Sequence, residues 1–226
     1  MSSTCYASVD LCGIRTAKLT NAGEPATGAE NGYITNAATT LEIEVVLESG
    51  DELVSKNGVG EICAVLNEPD RIKGINLSLE LCQLDALLAE IMAGVDVFTD
   101  DGDAIGFQYP AVGSTPDPIC FEAWSKAWDV DKQATHDSTT AETYIHWVFP
   151  FGRWVPGTLT LQHDLMVVPM SCKGSENDRI TANGPFDDWP AAVAAHGGVT
   201  RVGGWFFDNA MPAAECDYVA VSSAAS

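Results

Sequence analysis

Strict alternation between apolar and polar residues constrains this chain more than any other feature. In residues 41–48 (LEIEVVLE), most apolar side chains fall on one side of an extended strand and the glutamates on the other, because successive side chains point to opposite faces. Residues 72–81 (IKGINLSLEL) repeat the pattern, with leucines and isoleucines on one side. An amphipathic helix would need a repeat of 3.6 residues instead. The alternation therefore predicts two strands, each with one buried and one solvated face.

A second strand-forming region is aromatic. Residues 119–128 (ICFEAWSKAW) predict one strand, and residues 144–150 (YIHWVFP) predict another that ends at Phe149-Pro150. After a short Gly/Pro turn, a strand of unusual length is predicted from Thr158 toward Cys172. The last two strands form a long hairpin with exposed edges, which is typical of chains that assemble.

One helix interrupts the strands. Residues 83–93 carry leucines and an isoleucine at helical spacing, and Gly94 is a candidate C-cap. Residues 49–60 and 100–118 are predicted loops, and residues 61–66 a returning strand. The fold class that follows is mainly β, an antiparallel β-sandwich with one flanking α-helix.

Three regions are predicted along the chain. Residues 1–35, with several Gly and Pro breakers, form an N-terminal arm or a loose first strand. Residues 36–190 form the β-sandwich domain. Residues 191–226, rich in Gly and Ala, form a C-terminal extension.

The charge is strongly negative and uneven. The formal net charge is −21, from 32 acidic and 11 basic residues. Residues 40–103 hold fifteen of the acids against three basic residues. Such a chain repels nucleic acid, since DNA binding needs Lys and Arg to displace counterions. Solubility or adaptation to high salt is one explanation, and a surface that avoids sticking to a polyanion is the other.

Seven cysteines without a CxxC pair, and no apolar core segment after Met1, predict reduced thiols in a protein made in the cytoplasm. No run of residues approaches the length of a membrane helix.

No constellation of residues predicts catalysis or a metal. Residues 100–103 (DDGD) resemble part of a calcium loop, but an acidic turn accounts for them equally well. The four histidines show no zinc spacing, and no GxSxG is present. We therefore predict no enzyme, no cofactor and no metal.

Two residue sets carry the functional interpretation. The first is acidic and belongs either to a solvated sheet face or to the wall of a channel built from several copies: Glu42, Glu44, Glu48, Glu61 and Glu80. The second is aromatic and predicts core or subunit-interface anchors, with sugar-stacking platforms as the alternative: Trp124, Trp147, Trp154 and Trp189.

The order of these segments resembles the major tail tube protein of long-tailed, non-contractile bacteriophages, most closely the type from phages of actinobacteria. The resemblance rests on LSLELCQLDALLAEIMAG (residues 77–94), CFEAWSKAW (120–128), WVFP (147–150), the long strand, and GPFDDWP (184–190). It covers about residues 40 to 190.

The resemblance implies a virion protein made in the host bacterial cytoplasm. Six copies would form a ring, and rings would stack into a tube around a tape-measure protein and meet tail terminator or tip proteins. Long β-hairpins from each copy would close an inner barrel through which DNA passes without specific binding. Ring-to-ring contacts are expected in the N-terminal arm and in residues 49–60.

Three alternatives remain open. One is another virion β-protein, for capsid decoration or head–tail joining, which would form discrete trimers or rings. Another is a monomeric carbohydrate-binding module that uses surface tryptophans. A salt-adapted cytoplasmic enzyme is a third possibility, without a visible site.

Overall fold

The chain folds mainly into antiparallel strands. A computed structural model describes residues 6–129, 143–159, 167–213 and 216–222. Strands account for 55% of the structure and helices for 6%, and every strand pair in the described part is antiparallel. The prediction of a mainly β, antiparallel fold is confirmed, but the described residues contain two helices instead of one.

The elements of the described part are numbered in chain order. The strands are β1 (Tyr6–Lys18), β2 (Gly28–Thr35), β3 (Ala38–Glu48), β4 (Glu52–Lys56), β5 (Ile62–Asn67), β6 (Arg71–Leu81), β7 (Asp96–Asp100), β8 (Asp103–Gln108), β9 (Ile119–Asp129), β10 (Tyr144–Pro156), β11 (Val168–Gly174), β12 (Gly204–Asp208) and β13 (Asp217–Val221). The helices are α1 (Ala86–Ala93) and α2 (Ala191–Ala194).

One nine-stranded sheet organises the molecule. Its path is β13-β2-β1-β9-β10-β11-β6-β3, and β12 joins it by pairing with β10. β12 pairs with the first half of β10, and β11 pairs with the second half. β9 runs along the other side of β10. Two further hairpins, β4–β5 and β7–β8, stand outside this sheet.

The N-terminal residues belong to the main sheet instead of forming a loose arm. β1 lies between β2 and β9, and Ile14 and Ala17 are fully buried. Of the breakers that suggested an arm, Gly23 and Pro25 lie in the turn between β1 and β2, where Gly23 has a φ of 88°, and Gly28 and Gly32 lie in β2 itself. Breakers of this kind mark a hairpin connection as readily as an unstructured segment.

The aromatic hairpin has different boundaries from those predicted. β10 does not end at Pro150 but continues to Pro156, because a register shift between Phe149 and Gly152 accommodates the proline. The predicted strand from Thr158 is wrong at its start, since residues 157–159 are not strand and β11 begins at Val168. Residues 160–166 of that prediction lie outside the described residues.

The two predicted loops each contain a strand. Residues 100–118 include β8, which pairs with β7, and residues 49–60 include β4, which pairs with β5. Gly and Asp residues in these segments mark tight turns, and the strands between the turns are too short to show a clear alternation.

α1 begins three residues later than predicted and ends where predicted. Asp85 is its N-cap and accepts hydrogen bonds from the backbone of Leu87 (3.0 Å) and Leu88 (3.2 Å). Gly94 caps the other end in the left-handed conformation, with a φ of 63°. Tyr33 of β2 donates a hydrogen bond to Asp85, which ties the helix start to the sheet.

Apolar side chains cover both faces of the sheet centre. Alternate residues of β9 divide between two buried clusters: Phe121 packs against Trp154 at a ring distance of 4.8 Å, while Cys120 packs with the C-terminal Ile180 and Trp189. The first cluster also holds α1. The chain after β11, which supplies Ile180, Trp189 and Val221, therefore covers the sheet face opposite the helix.

Three of the four predicted aromatic anchors lie in this core. Trp124, Trp154 and Trp189 are buried, and Trp147 is half-buried against the first cluster. The six cysteines in the described part of the chain are free, and two of them, Cys120 and Cys172, are buried.

Candidate assembly surface

A two-stranded ribbon extends from the main sheet into solvent. β3 and β6 pair from Ala38 to Glu48, and β4 and β5 continue the same ladder toward a turn at residues 57–61. We call residues 42–73 the projecting hairpin. All of them are exposed except Val46 and Gly50, which are half-buried. The nine residues beyond Glu48 extend the ribbon by roughly 30 Å at about 3.3 Å per residue.

Two local features allow the ribbon to continue past the main sheet. At the junction, a side chain at Gly50 would begin 1.8 Å from the carbonyl oxygen of Glu68, so only glycine fits there. At the tip, the side-chain oxygen of Asn57 accepts hydrogen bonds from the backbone of Val59 (3.1 Å) and Glu61 (2.9 Å). The turn is therefore closed by its own side chain.

The projecting hairpin is apolar on both faces. Leu53 lies opposite Leu66, and Val54 lies opposite Val65, so consecutive pairs place one apolar patch on each side of the ribbon. The members of the first pair are 55% and 58% exposed, and those of the second 41% and 48%. The hairpin holds ten of the nineteen exposed large apolar side chains in the described part of the chain.

Such a ribbon cannot stabilise itself in water. A two-stranded hairpin without a packed face is marginal, and its outer edges leave backbone hydrogen-bonding groups unpaired. Concentrated exposed apolar surface marks a site of protein association. The projecting hairpin is therefore the candidate assembly surface of this chain.

Three of the predicted acidic residues share one sheet face. Glu42 pairs with Ser78 and Glu44 with Asn76, whose side-chain amide donates to Glu44 at 2.9 Å. Glu80 follows two residues after Ser78 and is exposed on the same side. This face is opposite the one where Leu77 and Leu79 enter the core.

The other two acids lie elsewhere. Glu48 lies beyond the irregularity between Val46 and Leu47 and is 3.7 Å from the Lys73 ammonium. Glu61 is at the hairpin tip and accepts a hydrogen bond from Asn57 at 3.0 Å. The structure thus places Glu42, Glu44 and Glu80 side by side, whereas Glu48 lies further along β3 beside Lys73 and Glu61 lies at the hairpin tip.

A second notable site is a buried charge cluster, which we define as Arg15, Glu122, His146, Asp188 and Asp208. Arg15 contacts the Glu122 carboxylate at 2.6 Å through Nε. Its terminal nitrogens make two hydrogen bonds to Asp188, at 2.6 and 3.0 Å. Arg15 and Glu122 are both buried, so each charge depends on the others for compensation.

The GPFDDWP segment is built around Arg15. Phe186 lies against the guanidinium at 3.8 Å, and Asp188 pairs with it. The Trp189 indole donates a hydrogen bond of 2.7 Å to Glu122. Gly184 leaves room for that indole, since a side chain there would begin 2.4 Å from it. The motif therefore fastens the C-terminal extension to the sheet.

Electrostatics favour the charged forms in this cluster. Burial alone would raise the pKa of Glu122, but Arg15 and His146 outweigh it and lower that pKa to about 2. Burial would lower the pKa of His146, but Asp208 and Glu122 outweigh it and raise that pKa above its usual value. The sequence analysis did not predict that Arg15 pairs with Glu122 and Asp188. The unusual segment GPFDDWP (184–190), which contains Asp188, was the signal that pointed to this cluster.

Small-molecule chemistry has little support in the described part of the chain. No group of three or more His, Cys, Asp or Glu residues there is placed to hold a metal ion. A cavity of about 30 Å³ between α1 and β11, lined mainly by apolar residues, has room for about one water molecule. No helix of the described residues is long and apolar enough to cross a membrane.

No protein-family model matches this sequence, and no curated protein matches it significantly.

Proposed function

We propose that this chain is a structural subunit of the tail tube of a long-tailed, non-contractile bacteriophage, without a catalytic role or a cofactor. Six copies form a ring, and rings stack around a tape-measure protein between terminator and tip proteins. Each copy is a β-sandwich flanked by α1. Projecting hairpins from neighbouring copies line the tube, and viral DNA passes through it without specific binding or contact with a membrane.

The projecting hairpin is the observation that carries this proposal. A ribbon with apolar pairs on both faces, such as Leu53–Leu66 and Val54–Val65, needs cover on two sides and partners along two edges. A ring of identical hairpins supplies the edge partners, because each edge pairs with the next copy and the closed barrel leaves no free edge. Stacking of rings covers the remaining apolar surface.

The acidic sheet face supports a conduit for DNA. Glu42, Glu44 and Glu80 project on the side away from the core, and Lys173 of β11 faces the same side beside Asn76. A channel wall with this excess of carboxylates repels the phosphate backbone and keeps the duplex from adhering. The strand register shows that these glutamates share one face of the sheet. We propose that this face lines the tube.

Electron microscopy of the purified chain over a range of concentrations, together with sedimentation velocity, tests the assembly. We expect six-membered rings and hollow tubes whose fraction increases with concentration. Discrete trimers, or single rings that never stack, would favour a capsid-decorating or head–tail joining protein. A monomer whose tryptophan fluorescence changes with glycans would favour a carbohydrate-binding module, although Trp124, Trp154 and Trp189 are buried.

Charge reversal tests the position of the acidic face. Glu42→Lys combined with Glu44→Lys should leave tail length unchanged, because both side chains are exposed. A basic lumen should then hold the phosphate backbone and slow DNA release by about tenfold or more at low salt. Genome ejection from particles that carry the variant measures this. Glu24→Lys with Glu30→Lys, also exposed, is the matched control. Unchanged ejection in the first variant would contradict the lumen assignment.

A further inference from the structure

His146 lies in the charge cluster between two carboxylates that come from different strands. Its Nε2 is 3.5 Å from Glu122 of β9, and its Nδ1 is 3.5 Å from Asp208 at the end of β12. The ring is buried between Trp124, at a centroid distance of 4.1 Å, and Phe206, at 4.5 Å. Neither ring nitrogen makes a hydrogen bond of normal geometry, so the two 3.5 Å contacts are ion pairs when the ring is protonated.

This arrangement suits the doubly protonated ring. A neutral imidazole carries one N–H and can donate toward only one of the two carboxylates, whereas the imidazolium can donate toward both. With the imidazolium, the cluster has two cations, His146 and Arg15, against the carboxylates of Glu122, Asp188 and Asp208. With neutral His146, Arg15 alone faces three carboxylates, and it is already occupied by two of them.

β12 is a short strand at the edge of the sheet. It has five residues and pairs with β10 alone among the described strands, from Tyr144–Asp208 to Val148–Gly204. Trp205 and Phe207 are 55% and 42% exposed, and Phe206 is half-buried against the second cluster. Asp208 is half-buried and ends the strand at its contact with His146.

We propose that protonated His146 is a pH-dependent latch that holds β12 on the edge of β10, and that loss of the proton releases this strand while the rest of the sheet stays intact. The inference is independent of the tail-tube proposal. Because the pKa of His146 is raised on folding, its contribution is complete below the usual histidine range and is lost as the pH increases through the higher folded value. Release is therefore expected on the alkaline side.

Amide hydrogen exchange, corrected for the intrinsic exchange rate at each pH, tests the latch on the full chain. In the wild type, protection of residues 204–208 should fall by roughly tenfold between pH 6 and pH 9, the order of magnitude expected when one partly buried ion pair is lost. β13 is the internal control, since it is also a five-residue strand that pairs with a single neighbour, β2. Its protection should not change.

Three variants separate the latch from general alkaline loosening. Asp208→Asn, at a partly exposed site, should give low β12 protection at both pH values. His146→Gln should do the same if it folds. His196→Gln, at an exposed histidine outside the cluster, should keep the wild-type response. The proposal is overturned if wild-type β12 protection does not depend on pH, or if Asp208→Asn keeps the full dependence.

Discussion

Replacing Arg15 by methionine is expected to destabilise the protein by about 3–5 kcal/mol, the usual cost of removing one partner from a buried ion pair. Methionine keeps most of the side-chain volume, so the loss comes from the charge. Glu122 would stay buried without its nearest cation, and Asp188 would lose both of its hydrogen bonds. The free energy of unfolding in denaturant at pH 7 measures the effect.

The chain offers a matched control for this substitution. Arg71 pairs with Glu68 at 3.2 Å, but the two side chains are 69% and 40% exposed. Arg71→Met should therefore cost at most about 1 kcal/mol. If Arg15→Met cost no more than Arg71→Met, the buried cluster would not be a stabilising element.

The difference in unfolding free energy between wild type and Arg15→Met should also depend on pH. Glu122 has a folded pKa of about 2, below its unfolded value, so its ionisation stabilises the fold above about pH 4.3 and this contribution is lost as the pH falls toward 2. Without Arg15 the folded pKa rises, and acid then removes less stability. The gap between wild type and Arg15→Met should narrow from pH 5 to pH 2. A constant gap would contradict the role of Glu122 as the coupled acid.

Features that depend on neighbouring residues were predictable. The alternation in residues 41–48 and 72–81 correctly predicted two strands, and the register between β3 and β6 places their apolar residues on a shared face. The helix end at Gly94 followed from its own capping chemistry. Its start was misplaced because Asp85, predicted inside the helix, acts as the N-cap.

Features that depend on distant residues were not predictable. Arg15 and Glu122 are 107 positions apart, and Arg15 and Asp188 are 173 apart, so no local pattern joins them. GPFDDWP was recognisable as unusual, but its purpose depends on an arginine in β1. The same holds for His146, which appears in the sequence as one polar residue in an aromatic strand.

Exposure of the projecting hairpin was also hidden from the sequence. The alternation of residues 41–48 is the same whether the apolar face meets a core or extends beyond it. Leu41 packs against the core, whereas Leu47 on the same face is 57% exposed. Only the point where β6 leaves the core, between Ile75 and Ile72, decides which residues are covered.

Placing one charge on each face of the projecting hairpin should weaken assembly strongly. Leu53→Asp combined with Val54→Asp puts a carboxylate into both apolar patches, because the two side chains point to opposite faces. Each buried apolar side chain is worth about 1 kcal/mol when half of it is newly covered, and an unpaired buried charge costs more than that. We expect the concentration needed for rings or tubes to rise by at least about a hundredfold, as measured by sedimentation velocity and electron microscopy.

The same double variant should leave the monomer intact, since neither side chain contacts the two core clusters. Its melting temperature should stay within a few degrees of the wild type. Val112→Asp is the matched control, because Val112 is a fully exposed valine outside the hairpin, and it should assemble as the wild type does. If the hairpin variant formed tubes at the wild-type concentration, these apolar pairs would not be an interface between copies. A variant that lost both assembly and thermal stability would instead show that the hairpin supports the monomer fold.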